Sequence, residues 1–296
     1  EDVMYKIGWI GVGNMGMPMC KNLIRGGCQV IVRDTKKEKA KEALDMGAVW
    51  AESPKEVAEK ADYIFTMLPN GKILQDIVMG YEGVIEGLTP GKILVDMSTV
   101  SALDSAVVSD KMEEYGCKLL RCPVTGSTGP AAKGLLGLLI SGEEEVFEKV
   151  EPLLNLLGKN KYWMGNKEEA RVMKIALNTM VGNISQLLAE AVSLAEKAGI
   201  SVEKCMEVIA GSAVGNLIID SKVDLINTGK YDAAFTVKMM LKDFDLALDT
   251  AKQYEASLPV TSLVRQFYEE AAAVGREMED YAVLVKRQEE NIGIER

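Results

Sequence analysis

The chain contains no histidine. That single absence removes Ser-His-Asp triads, His-ligated zinc and imidazole proton transfer together. Proton chemistry therefore falls to lysine, carboxylate, tyrosine or cysteine. Cysteine is sparse: the five residues Cys20, Cys28, Cys117, Cys122 and Cys205 form no C-x-x-C pair. An odd count without a secretory signal predicts reduced thiols and a cytoplasmic location. Cys20 and Cys205 fall in helical patterns and are expected in the core. Without histidine, a cysteine pair or carboxylates at ligand spacing, no metal is expected. Long apolar runs are also missing. The strongest, 135–140, is far too short to span a bilayer, so no membrane partner is expected. Positive charge is in deficit, 34 Lys and Arg against 44 Asp and Glu. A net charge of -10 disfavours nucleic acid, whose binders usually present a basic face. Met4 reads as the native start and residues 1–3 as an added leader.

What is present is a core-forming chain of 296 residues, 48% apolar and 26% charged, long enough for about two domains. Near its start stands Gly11-Val12-Gly13-Asn14-Met15-Gly16, a G-x-G-x-x-G run. A β-rich stretch leads in and a helical pattern (Met17, Met19, Cys20, Leu23, Ile24) leads out, the context that marks a dinucleotide-binding turn. Gly11 permits the tight turn, Gly13 lets a pyrophosphate approach bare backbone, and Gly16 lets the helix pack on the strand. The helix N-terminus offers unpaired N–H groups and a positive dipole end to the phosphates.

The first half alternates strand and helix patterns. Strands are predicted at 5–10, 29–33, 48–51, 63–68, 93–96 and 118–121, with further strands at 136–141 and 161–164. Helices are predicted between them, for example at 36–46 and 102–115. Such alternation predicts a parallel sheet covered by helices on both faces. After Gly165 the character changes. Residues 168–197 contain no proline and one glycine, and apolar residues run almost all round the helical wheel, predicting one long buried helix. Helical patterns follow at 202–210, 217–226, 237–255, 263–273 and 281–288, so the second half reads as all-α.

Asp34 lies 18 positions beyond Gly16, near the spacing at which an acidic residue accepts from an adenosine ribose and repels a 2′-phosphate. This favours NAD; Arg33, Lys36 and Lys37 keep NADP open as cations that either hold a phosphate or simply solvate the next helix. Three further segments bear on chemistry. Cys122-Pro123-Val124-Thr125-Gly126-Ser127-Thr128-Gly129-Pro130 follows a predicted strand and either offers N–H and O–H donors to an anion or forms only a turn. Lys174 and Asn178, at i and i+4, share a face of the long apolar helix. There Lys174 is either a proton carrier tuned by desolvation or a side chain snorkelling to solvent. Leu241-Lys242-Asp243-Phe244-Asp245-Leu246-Ala247 reads by itself as an ordinary amphipathic helix.

Taken in order, these segments resemble the β-hydroxyacid dehydrogenase family over nearly the whole chain. The likeness rests on G-x-G-x-M-G-x-x-M at Gly11 to Met19, P-V-[ST]-G at Pro123 to Gly126, K-x-x-x-N at Lys174 to Asn178, and K-D-x-x-L-A at Lys242 to Ala247. Met67-Leu68-Pro69-Asn70 and Asp96-Met97-Ser98-Thr99-Val100 look like the family's cofactor loops. The resemblance implies an α/β Rossmann N-terminal domain (1–165), an all-α C-terminal domain (166–296), a long interdomain helix, and a site in the cleft between domains. It implies an NAD(P)-dependent enzyme that interconverts a small carboxylate-bearing β- or ω-hydroxy acid and its semialdehyde. Lys174 would be the catalytic lysine and Asn178 would orient the substrate. Thr125, Gly126 and Ser127 would bind the substrate carboxylate, and Leu68, Pro69, Thr99 and Lys242 would line the nicotinamide side. The glycine turn with Val12, Asn14 and Met15, together with Asp34, Asn70 and Asp243, completes the expected cofactor set. A homodimer or homotetramer is implied.

The chain departs from the family pattern where Ser127 replaces a second glycine, where Gly129-Pro130 replaces Gly-Ala, and in the approach Gly165-Asn166-Lys167-Glu168-Glu169-Ala170. Two alternatives compete. An imine-reductase-like enzyme generally lacks the lysine, and a non-catalytic dinucleotide-binding or assembly module tends to lose it; Lys174 argues against both. A short-chain dehydrogenase needs Tyr-x-x-x-Lys, which none of the nine tyrosines supplies.

Overall fold

The computed structural model describes residues 4–295; the expected leader, residues 1–3, lies outside the described residues. The chain divides into two compact units, one ending at Lys174 and the other beginning at Ile175.

The first unit is built on six parallel strands: β1 (Lys6–Ile10), β2 (Gln29–Arg33), β3 (Val49–Trp50), β4 (Tyr63–Thr66), β5 (Ile93–Asp96) and β6 (Lys118–Arg121), in the order β3-β2-β1-β4-β5-β6. Their near-continuous apolar runs are what a parallel sheet covered on both faces requires. Alternate residues feed two cores. Trp9, Val30, Phe65 and Val95 enter one, with Trp9 stacked on Phe65 at 5.6 Å. Ile10, Ile31, Ile64 and Leu94 enter the other. β1 pairs with β2 on one side and β4 on the other, so the order of connections reverses there. Ligands of such sheets bind at this switch point, beyond the carboxyl ends of the strands.

The two further strands expected after β6 do form, but outside this sheet. A two-residue strand, β7 (Val124–Thr125), pairs antiparallel with β8 (Leu136–Ile140), which pairs parallel with β9 (Gly158–Trp163). The strand β7 falls within the segment 122–130, for which no strand is expected from the sequence. It has no period of its own and depends on a partner: Gly137 faces Thr125, and a Cβ there would lie 2.5 Å from Thr125 Cγ2.

The long helix Glu169–Lys197 runs on into the second unit, whose other main helices are Val202–Ala210, Val237–Gln253, Pro259–Ala271 and Leu284–Asn291. Among the described residues this unit has no strand. Gly182 lets the long helix lie against Phe244, and its carbonyl accepts from Tyr268 Oη at 3.0 Å. Two expectations are corrected. The long helix is not buried all round: Met173, Met180, Leu187 and Leu194, spaced by seven, are 40–74% exposed. The helix expected over 217–226 is broken into Leu217–Asp220 and Val223–Thr228. The break admits Lys222, whose Nζ reaches the fully buried Asp280 at 2.9 Å and lies 4.3 Å from the Tyr281 ring centroid. A tertiary ion pair overrides a local helical pattern.

Lys222→Met leaves the Asp280 charge with only backbone donors from Ala234, Phe235 and Ala282. Breaking a buried pair from one side should cost about 3–5 kcal/mol in urea unfolding. A loss below about 1 kcal/mol would show that solvent reaches the pair.

Candidate active site

The turn after β1 is shaped by close approach. Gly11 has φ 100°, its N–H donates to Arg33 O at 3.0 Å, and a Cβ on it would sit 2.3 Å from Met67 O. A Cβ on Gly16 would sit 2.0 Å from Gly11 O, an oxygen that Trp9 Nε1 also holds at 2.9 Å. Gly13 differs: nothing lies within 4 Å of where its Cβ would be. Gly11 and Gly16 therefore serve the fold, whereas Gly13 presents open backbone. Gly13 and Asn14 are exposed, Met15 is half-buried against the core, and Val12 is buried.

Val12 N–H donates to Asp34 Oδ2 at 2.9 Å, which brings the end of β2 onto the turn. Burial pushes the Asp34 carboxyl up, but bonds from Val12 and Thr35 and the charge of Lys39 outweigh it and leave it below the usual range. Arg33 is engaged elsewhere. It donates to the Asp34 carbonyl, and its guanidinium lies 4.9 Å from the Trp50 ring centroid.

Residues 68–70, 97–99 and 122–130 leave the carboxyl ends of β4, β5 and β6. A buried network joins the first two. Asp96 Oδ1 accepts from Thr66 Oγ1 and Ser98 Oγ, each at 2.6 Å, and Ser98 Oγ accepts from Leu68 N–H at 2.8 Å. Asn70 caps the helix Gly71–Met79 by accepting from Ile73 N–H. Pro69 is exposed and Thr99 half-buried. In the third segment Thr125 is half-buried while Gly126 and Ser127 are exposed. Gly126 has φ 126°, and its Cβ space is taken by Leu136 and Pro130. Ser127 precedes the helix Thr128–Ala132 without capping it. Asn22, on the helix that follows the glycine turn, donates to Ala131 O at 2.8 Å and ties this segment to the dinucleotide turn.

Lys174 is half-buried, and Asn178 lies one helical turn further along. In the second unit Asn178 is buried and its Nδ2 donates to Asp243 Oδ2 at 2.5 Å. Lys242 Nζ lies 3.2 Å from Asp243 Oδ1. The structure thus joins Asn178, Lys242 and Asp243, and the segment read as an ordinary amphipathic helix carries a buried carboxylate. The most deeply buried thiols and phenols are disfavoured as proton carriers. Burial raises Cys20 to about 12, raises Cys122 further, and raises Tyr268 and Tyr281. Among the described residues no group of three metal-ligating side chains forms.

Sequence reasoning passed over Arg171. It is buried, one turn before Lys174, and donates to Asp96 Oδ2 at 2.5 Å, Ser98 O at 2.7 Å and Ser105 Oγ at 3.2 Å. Arg121, also buried, pairs with Glu168 through Nε at 2.9 Å. The available signal was charge in an apolar setting, at the start of a long helix and the end of a sheet strand.

A parallel sheet with this glycine turn, with Asp34 just beyond its second strand and a helical unit following, defines an NAD(P)-dependent oxidoreductase. Residues 6–165 match the NAD-binding domain of 6-phosphogluconate dehydrogenase, and residues 169–287 match the NAD-binding domain of NADP-dependent 3-hydroxyisobutyrate dehydrogenase. The chain is 33% identical to 2-(hydroxymethyl)glutarate dehydrogenase of Eubacterium barkeri, covering 98% of this chain and 96% of that protein. It is 32% identical to 2-hydroxy-3-oxopropionate reductase of Escherichia coli, covering 95% and 96%. A solved 3-hydroxyisobutyrate dehydrogenase from Mycobacterium tuberculosis superposes with a TM-score of 0.87 at 26% identity, covering 96% of this chain and 99% of that one. The chain belongs to the β-hydroxyacid dehydrogenase family. An imine reductase from Pseudomonas sp. shares the fold alone, with a TM-score of 0.63 at 20% identity.

The glycine geometry separates two effects. Gly13→Ala should leave the melting temperature unchanged and weaken NADH binding, because its methyl group occupies open space over the turn. Gly16→Ala should lower the melting temperature by pressing on the Gly11 carbonyl. Fluorescence titration with NADH and thermal melts of both variants distinguish these; equal melts would refute the division of roles.

Proposed function

We propose that this enzyme interconverts a small β- or ω-hydroxy acid and its semialdehyde, with Lys174 as general acid and base. The observation that carries this is Lys174 one turn before Asn178, whose carboxamide is fixed by the buried Asp243. A nicotinamide held at this turn would supply the hydride that the carbonyl carbon takes in reduction and accept the one that the carbinol carbon gives up in oxidation. In reduction Lys174 Nζ gives its proton to the forming alkoxide; in oxidation it takes the hydroxyl proton. Asn178, its amide N–H engaged by Asp243, keeps its carbonyl oxygen oriented for a substrate hydroxyl. Thr125, Gly126 and Ser127 receive the carboxylate, with the uncapping Ser127 hydroxyl available to a second polar group on the substrate. Leu68, Pro69, Thr99 and Lys242 are the residues that would line the nicotinamide side, and Asn70 holds its own loop through the helix cap.

The residues at the dinucleotide turn fit the cofactor: Gly13 is open and the Asp34 carboxylate is ionised at neutral pH. NAD is the preferred form. An ionised Asp34 repels a 2′-phosphate, and Arg33, one of the cations that could hold that phosphate, is turned onto Trp50 and the Asp34 carbonyl. Five unpaired cysteines fit a reducing compartment such as the cytoplasm. The exposed Met180, Leu187 and Leu194 support a homo-oligomer, because a seven-residue apolar stripe is what one helix packs against another.

Absorbance of NADH and NADPH against a panel of short semialdehyde acids and glyoxylate tests the reaction. Lys174→Ala should lower kcat about 10²–10⁴-fold with NADH binding intact. Ser127→Gly should weaken the best substrate more than a simple semialdehyde. No turnover by the parent enzyme, or turnover undiminished in Lys174→Ala, refutes the reading. Light scattering tests assembly: the parent should exceed the mass of one chain, and Leu187→Glu should reduce it. A parent that runs as a monomer would rule the oligomer out.

A further inference from the structure

We propose that Arg171 is a positioning residue that sets the register of Lys174 against the two loops at 68–70 and 97–99. The proposal rests on the assignment of Lys174 above. Arg171 and Lys174 are three residues apart on one helix, so a turn or slide at the first is carried to the second. Each guanidinium nitrogen has its own partner on another segment. Nη2 meets Asp96 at the end of β5, Nη1 meets the Ser98 carbonyl in the loop beyond it, and Nε meets Ser105 in the helix Ala102–Glu114. Asp96 passes the constraint on. Its second oxygen holds Ser98 Oγ, and that hydroxyl holds Leu68 N–H. One buried relay therefore links the helix bearing Lys174 to both loops.

The planar guanidinium fixes orientation as well as distance, which a lysine ammonium cannot do with one point charge. The relay touches no exposed surface: Arg171, Asp96, Ser98 and Ser105 are all buried. Its effect on the reaction is through geometry. A misplacement of about 1 Å far from the chemistry can cost on the order of 10²-fold in rate.

Two variants test this. Arg171→Lys keeps the charge and loses the fork. Arg171→Met with Asp96→Asn removes both charges, so no unpaired ion remains in the interior if the single change fails to fold. For each, kcat, KM, the isotope effect from C4-deuterated NADH and the NADH Kd are measured beside the melting temperature. The expected result is a kcat lower by about 10- to 100-fold, a larger isotope effect and an NADH Kd raised several-fold. Melting temperatures that fall while kcat per folded enzyme, isotope effect and Kd stay at parental values would make the relay purely structural and overturn the proposal. If the parent turns over no substrate, the reading of the reaction has failed. The NADH Kd then decides this proposal alone: a raised Kd in the variants supports the link to the loops, and an unchanged Kd overturns it.

Discussion

A close backbone approach governs the rest of the first unit: the Met67 carbonyl stands where any side chain on Gly11 would be. That contact lets the end of β1 sit directly beside the loop leaving β4. Gly16 makes the next such contact, against Gly11 itself, and fixes where the following helix begins. Asn22 on that helix then holds Ala131, so the segment after β6 is tied to the turn after β1. The turn after β1 and the loop after β4 are placed by backbone packing that only glycine allows, and the segment after β6 by the Asn22 side chain. The residues of these three stretches that are proposed to meet cofactor and substrate inherit their positions from these contacts.

Charge burial supplies the second layer of constraint. Asp96 with Arg171, Arg121 with Glu168, and Lys222 with Asp280 each join segments distant in sequence. Such pairs are a poor source of stability, since desolvating two ions offsets much of their attraction. Their consequence is specificity of arrangement, because any alternative packing that separates the partners leaves a charge stranded in the interior. Two of the three pairs lie at the start of the long helix, immediately before Lys174. The chain thus puts two buried ion pairs directly before the lysine proposed to carry the proton.

Features with a local cause were legible in the sequence. The glycine turn, Asp34, the six sheet strands and the long helix each follow from spacing or period. So did the family, because its motifs are short and ordered. What escaped depended on partners distant in sequence. β7 exists because Gly137 leaves room for Thr125. The helix break at Lys222 exists because Asp280 lies 58 residues further on. Arg171 looked like one more charge in a helix until its three acceptors came from β5, its loop and the next helix. The long helix misled for a different reason. Its hydrophobicity shows that many faces are apolar, but period alone cannot say that the stripe at Met180, Leu187 and Leu194 stays exposed.

On the proposed function, reaction class and substrate choice rest on different kinds of residue. The glycine turn and the lysine-bearing helix are held by contacts the fold cannot lose. The segment Thr125-Gly126-Ser127 is held from behind, by Leu136 and Pro130 against Gly126 and by Asn22 on Ala131, while Gly126 and Ser127 themselves face outward. Ser127 supports no cap. A side chain there is free to change without disturbing the sheet or the helix, and Pro130 stiffens the platform on which it changes. This is the arrangement by which one scaffold can keep a hydride-transfer chemistry and shift its hydroxy acid. With the carboxylate proposed to sit here, the two departures from the family pattern in this segment would bear on specificity rather than on whether the chain reacts.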